Sequence, residues 1–174
     1  MVAGQAMRDE GFNPDPDPAV DAELKNLGKH PDNGARLRDM RNLLWSSIDN
    51  DDTRDLDQIE FAEELSGGDS RLLIAIADVD SEVPKGSAID AHAASQTTTV
   101  YSGAVIFPMI PLQLSTGATS LFEGSARNSV VIDLVVGSAG HARSAQFYPS
   151  LWTTHANLSQ SSVWASPRPV PAIP

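Results

Sequence analysis

The order of apolar and polar positions predicts a chain that alternates short helices with strands. Val20, Leu24 and Leu27 recur at helical spacing, so Ala19–Lys29 reads as a short amphipathic helix that ends near Gly28. Ahead of it, Asn13-Pro14-Asp15-Pro16-Asp17-Pro18 excludes regular structure, and residues 1–18 read as a leader or linker. His30–Gly34 is a turn, and Leu43–Ile48 is expected to be extended. Ile59–Leu65 and the continuous apolar run Leu72–Ala77 have strand length, joined by the hairpin signal Ser66-Gly67-Gly68-Asp69. Ser87–Ser95 reads as a helix with Ser87 as its N-cap and Asp90 in its first turn. Thr97–Tyr101 and Ser129–Val136 are β-prone. Gly137–Gly140 turns the chain, and Ala142–Tyr148 returns as a partner strand. The last ten residues, Ala165–Pro174, hold four prolines and can continue neither a helix nor a central strand, so a disordered tail is expected. The pattern as a whole predicts an α+β domain with a mixed or antiparallel sheet and a few short helices.

Composition narrows the function classes. At 41% hydrophobic and 20% charged residues, the chain is an ordinary globular sequence. With only 6% aromatics, much of its core is expected to be aliphatic. The net charge of −11 argues against a plain nucleic-acid binder, whose affinity comes from basic contacts to phosphates. It weighs less against a nuclease, whose carboxylates are offset by bound cations. Cysteine is absent, which removes thiolate metal sites and fits a reducing cytoplasm. No apolar run reaches the ~18 residues of a membrane span, and residues 1–12 lack the apolar stretch of a signal peptide. A soluble cytoplasmic protein is the expectation.

The chemistry concentrates in one acidic run, Ile48-Asp49-Asn50-Asp51-Asp52-Thr53-Arg54-Asp55-Leu56-Asp57-Gln58. Crowded carboxylates repel one another, and hard divalent cations with oxygen ligands are their natural partners. Three readings follow: a Mg²⁺ site for phosphodiester hydrolysis, a Ca²⁺ loop, or a solvated surface turn. Asp49, Asp51, Thr53, Asp55, Asp57 and Glu60 do fall at the liganding offsets of an EF-hand, but Arg54 stands where the sharp turn needs glycine. Elsewhere the sequence offers little. His92 and His141 form no pair with metal-ligand spacing, no nucleophile elbow occurs, and there is no Walker-type phosphate loop. Asp78 follows the buried run and reads as a cap or as a neighbour of the acidic site. Arg36, Arg38 and Arg41 read as contacts to an anionic ligand or as paired surface charges.

A series of blocks then resembles, in order, the catalytic domain of the ribonuclease II-type (RNB) family, from about Leu37 to about Asn157. Arg38-Asp39-Met40-Arg41 is similar to the family's opening Asp-Leu-Arg. Ile48-Asp49 with Asp55-Leu56-Asp57 is similar to its acidic signature. Ile76-Ala77-Asp78-Val79, Gly86–Asp90 with Thr99-Val100-Tyr101, and Pro108-Met109-Ile110-Pro111 with Leu114-Ser115 and Ser120-Leu121 follow. Each block is weak alone, but their order and spacing are specific.

The resemblance implies a 3′→5′ exoribonuclease that threads single-stranded RNA into a channel and uses Mg²⁺ to release 5′-mononucleotides. It puts the catalytic carboxylates at Asp49, Asp55 and Asp57. The metal set is those three with Gln58, which replaces the usual fourth aspartate. Tyr101 falls at the aromatic that stacks on RNA, and Gln96 falls where the family often carries arginine. The implied organisation is a leader over residues 1–35, the N-terminal portion of an RNB domain over 36–158 and a proline-rich tail over 159–174. The matching stretch is shorter than the family's catalytic domain. A truncated or partial product is therefore expected, along with exposed apolar surface and a possible companion polypeptide that completes the domain. The alternative is a non-catalytic remnant that binds a divalent cation or a protein.

Overall fold

The computed structural model describes residues 2–27, 37–122, 124 and 126–153, with the backbone of 156–159. The fold is α+β. Nine strands occur among these residues: β1 (Arg38–Asp39), β2 (Ser46–Asp49), β3 (Gln58–Glu64), β4 (Ser70–Ala77), β5 (Val100–Tyr101), β6 (Ile106–Phe107), β7 (Ala126–Val136), β8 (Ala142–Thr153) and β9 (Ala156–Ser159). Seven of them form one sheet in the order β1-β8-β7-β4-β3-β2-β9, and β5 and β6 make a separate hairpin. The inner pairs are antiparallel, while β1 runs parallel to β8 and β9 parallel to β2, so the sheet is mixed.

Strand alternation places the core. Ile59 pairs with Ala75, and Ala75 with Val131, so these three side chains share one face. That face buries Ile59, Leu73, Ala75 and Val131 against Trp45, Leu56, Leu121 and Trp152. Much of this core is aliphatic, as composition suggested, and two fully buried tryptophans anchor it. The opposite face carries Ile76, Val130 and Phe147, which are 42%, 39% and 69% exposed. The β3–β4 turn lies where the two glycines predicted it. Gly67 and Gly68 adopt φ of 85° and 81°, and the Leu65 N–H donates to the Asp69 carbonyl at 2.8 Å.

Three helices occur among the described residues: α1 (Val2–Asp9), α2 (Pro18–Leu24) and α3 (Ala88–Gln96), with α2 packed against α3. Pro18 opens α2 where a missing N–H costs nothing, and Asp17 caps it by accepting from the Ala19 N–H at 2.8 Å. Ser87 caps α3 as expected, accepting from the Asp90 N–H at 3.2 Å. Glu23 on α2 accepts from the Ile89 N–H at 3.1 Å, so one helix supplies a cap to the other. Val20, Val83, Ile89 and Leu114 form a second apolar cluster, with Leu114 opening a π-helical turn, Leu114–Ala118.

Several elements differ from the expectation. Residues 1–18 were predicted to lack regular structure, yet Val2–Asp9 is helical, because the prolines begin only at Pro14. This segment is also tied to the body. The Gln96 amide donates to the Asn13 carbonyl at 2.5 Å, and the Asn13 N–H donates back to Gln96 Oε1 at 3.2 Å. The Leu43–Ile48 stretch is a strand only from Ser46, because Trp45 turns inward and its indole donates to the Met40 carbonyl at 2.9 Å. Thr97 takes the left-handed conformation that ends α3, which shortens the predicted Thr97–Tyr101 strand to Val100–Tyr101. The expected turn at His30–Gly34, together with Arg36 and residues 160–174 of the proline-rich tail, lies outside the described residues.

Candidate functional site

The acidic run joins β2 to β3, and its backbone is fixed from both sides. Asp49 ends β2. Its Oδ1 accepts from the Asn50 N–H at 2.8 Å and from the Thr53 hydroxyl at 2.6 Å, which closes a tight turn over 50–53. Leu56 is buried in the tryptophan core, and its N–H donates to Ser120 Oγ at 3.3 Å. The Ser120 hydroxyl in turn donates to the Arg54 carbonyl at 2.9 Å. The Leu56 carbonyl accepts from the Leu121 N–H at 2.8 Å, and the Asp57 carbonyl from the Ala77 N–H at 2.9 Å. Leu56 is buried, while Asp55 and Asp57 on either side of it are both exposed.

Tyr101 lies near this pair, with Asp55 the nearer of the two in effect. It is 67% exposed on the β5–β6 hairpin, which rules out the core-aromatic role. Reduced contact with water pushes its hydroxyl above the usual tyrosine value. The Asp55 carboxylate adds to this through its charge and a hydrogen bond, with Asp57 behind it. Gln58 lies at the start of β3, where its amide donates to Glu60 Oε1 at 3.0 Å. Burial raises the Glu60 carboxyl, and the Gln58 bond opposes that shift. Asp78 follows β4 next to the Ala77–Asp57 contact. Burial raises its carboxyl, and Asp80 adds to the shift.

The donors are hard oxygens of the kind that Mg²⁺ prefers. Their placement does not fit a metal ion as it stands: among the described residues, no three His, Cys, Asp or Glu side chains stand close enough to hold one. Asp49 is occupied by Thr53, and Gln58 by Glu60. An EF-hand is excluded, since strands flank the loop on both sides.

Several cations near the sheet are committed to protein partners. Arg41 forms a two-point pair with Asp39, 2.8 Å from Nε to Oδ1 and 2.6 Å from Nη2 to Oδ2, and holds that carboxyl down at about 2. Arg38 lies over the Tyr148 ring, 3.7 Å from its centroid. Sequence reasoning missed the group that Arg38 joins. Asp133 is buried and accepts two bonds from Arg71, at 2.9 and 2.7 Å, and one from the Tyr148 hydroxyl at 3.1 Å. Arg71 holds the Asp133 carboxyl below its usual value, against the opposing effect of burial. The signal was readable, because Asp133 falls two residues after Val131 on the inward face of a β-prone run. Ser120 was also missed as a structural peg, although the sequence placed it within a motif block.

Comparison with known proteins places this arrangement. The RNB domain matches residues 37–166. The chain belongs to the RNB family. It is 36% identical over 126 residues to ribonuclease R of Escherichia coli strain K12, an alignment that takes in 72% of this chain and 16% of that protein. The fold resembles Mycoplasma genitalium RNase R in complex with ribose-methylated single-stranded RNA, with a TM-score of 0.80 and 26% identity over 90% of this chain and 25% of that one. It also resembles yeast Ssd1, described as a pseudonuclease, with a TM-score of 0.64 over 86% of this chain and 22% of that one. At 16% identity, that likeness concerns the fold alone. The chain thus spans about a sixth of the length of the ribonuclease R that it matches. Among the described residues, no helix is long and apolar enough to cross a membrane.

Proposed function

We propose that residues 36–158 form the N-terminal portion of the catalytic domain of a ribonuclease II-type 3′→5′ exoribonuclease. Single-stranded RNA is the substrate, 5′-mononucleotides are the products, Mg²⁺ is the cofactor and the setting is cytoplasmic. One observation carries this reading: within an RNB-family fold, Leu56 and Ser120 hold Asp55 and Asp57 at the surface, and Tyr101 stands against Asp55. The exposed Tyr101 ring offers a face on which any base can stack, which suits an enzyme blind to sequence. Asp49, Asp55, Asp57 and Gln58 are the ligand set that this reading calls for, although they make no ready cage in the present conformation. A companion polypeptide that completes the domain belongs to the same reading. The apolar sheet face of Ile76, Val130 and Phe147 supports it, because large exposed apolar patches mark surfaces that something covers.

A second reading is a non-catalytic RNB protein. It is favoured by the lack of convergence among the carboxylates and by Gln58 turning to Glu60. Incubation of 3′-labelled single-stranded RNA with the chain and Mg²⁺, beside an Asp57→Asn variant, separates the two. Mononucleotide release that the variant loses supports the enzyme.

A further inference from the structure

The large sheet is open along one edge. β8 is 12 residues long, but among the described residues β1 pairs with it only at Ser150 and Leu151. Residues 141–147 are all exposed. The Leu151 carbonyl accepts from the Met40 N–H at 2.8 Å, so the main-chain groups of Leu151 face this edge. Facing alternates along a strand, and those of Phe147 and Ala145 therefore point out at the edge as well. Pro149 lies on the same side, where its missing N–H breaks no bond to β7. The open stretch has two ends. A bulge opposite Val135 and Val136 disturbs the ladder before Ser144, and Pro149 removes a donor after Tyr148. Between them, residues 144–148 keep regular register with β7 and hold no charge, proline or glycine, so they lack the devices that usually blunt an edge. The charge next to them in sequence, Arg143, is tied to Asp69 at 3.1 Å.

We propose that this edge pairs, antiparallel, with the same edge of a second copy of the chain. Gln146 is the midpoint of residues 144–148. A two-fold axis there sets Ala145 against Phe147 of the other copy and Gln146 against its own counterpart. Each Ala145–Phe147 pair then exchanges two N–H···O=C bonds, which uses every outward main-chain group of both residues. The side chains fit in the same register. Ala145 and Phe147 share one face of β8, and the Phe147 ring, 69% exposed, meets a small residue across the joint. The lack of charge selects the occupant. A strongly acidic or basic partner finds nothing to complement in residues 144–148, whereas two copies that each carry −11 meet there without charges opposed across the joint. The pairing is independent of the exoribonuclease reading, because the acidic run lies between β2 and β3, across the sheet from β8.

The test is sedimentation velocity over a concentration series, in salt that screens the net charge, on the parent chain, Ala145→Pro and Ala145→Lys. Ala145 is exposed and its main-chain groups face outward, so neither substitution breaks the β7 ladder, and circular dichroism confirms that each variant is folded. The chain has no cysteine, so Gln146→Cys supplies a single thiol, with Ser66→Cys on the exposed β3–β4 turn as the control. Opposed residues of a non-hydrogen-bonded antiparallel pair have Cα atoms about 4.5 Å apart, within reach of a disulfide. The expected result is a parent dimer that forms as concentration rises and is weakened about tenfold or more by each Ala145 variant. Mild oxidation should trap Gln146→Cys, and not Ser66→Cys, as a covalent dimer. A parent that stays monomeric throughout means that another chain, or another segment of this one, holds the edge, and it overturns the proposal. So does a dimer that both Ala145 variants leave intact, which is joined through a different surface. Species that grow beyond two copies overturn it as well, since a two-fold pair closes at a dimer.

Discussion

The hydroxyl of Ser120 stands 3.3 Å from the amide nitrogen of Leu56 and joins two segments 64 residues apart in sequence. Through it the chain after the π-helical turn clamps the acidic run, because the same hydroxyl bonds back to the Arg54 carbonyl. The clamp fixes which way residues 55 to 57 face.

Ser120→Ala removes both bonds and leaves the Leu56 N–H and the Arg54 carbonyl without this partner. A loss of about 1–3 kcal/mol is expected in urea unfolding. Leu56→Ala opens a cavity beside the two buried tryptophans and costs about 2–5 kcal/mol. A Ser120→Ala variant as stable as the parent would show that the clamp does not hold the run.

Removing the Asp133 charge frees Arg71 from its only buried carboxylate partner among the described residues. Asp133→Asn is expected to lose about 3 kcal/mol near neutral pH. Because the folded-state carboxyl is held below its usual value, its contribution is present above the unfolded value of about 3.9. It is lost as pH falls through the lower folded value. Stability measured against pH should therefore fall more steeply below about pH 4 in the parent than in Asp133→Asn. Parallel curves would contradict the assignment.

Both tyrosines titrate above the ordinary value of about 10, Tyr148 through burial and its bond to Asp133, Tyr101 through reduced contact with water and Asp55. Spectrophotometric titration of Asp55→Asn, with Tyr101→Phe to assign the signal, should lower the Tyr101 value while leaving that of Tyr148 in place. The drop is partial, since the share due to reduced solvent contact remains. An unmoved Tyr101 would mean that it does not stand against Asp55 in solution.

The strands and turns were legible where local chemistry decides them. The Gly67-Gly68 hairpin and the Ser87 cap depend on a few adjacent residues, and both occur where the pattern put them. The misread places are those where distant partners decide. Gln96, read only as standing where the family often carries arginine, is buried against the Asn13 backbone 83 residues away. The candidate site divides the same way. The order of motif blocks led to Asp49, Asp55, Asp57, Gln58 and Tyr101. It gave no sign that Thr53 and Glu60 would take up two of those side chains, because such contacts depend on rotamers rather than on residue type.

The measurement that bears most directly on the account is mononucleotide release from 3′-labelled single-stranded RNA with Mg²⁺, by the parent chain and by Asp57→Asn. The account predicts stepwise release of 5′-mononucleotides from the 3′ end by the parent, dependent on Mg²⁺, and loss of that release in the variant. Equal release by both proteins, or none by the parent at high protein concentration, would contradict it.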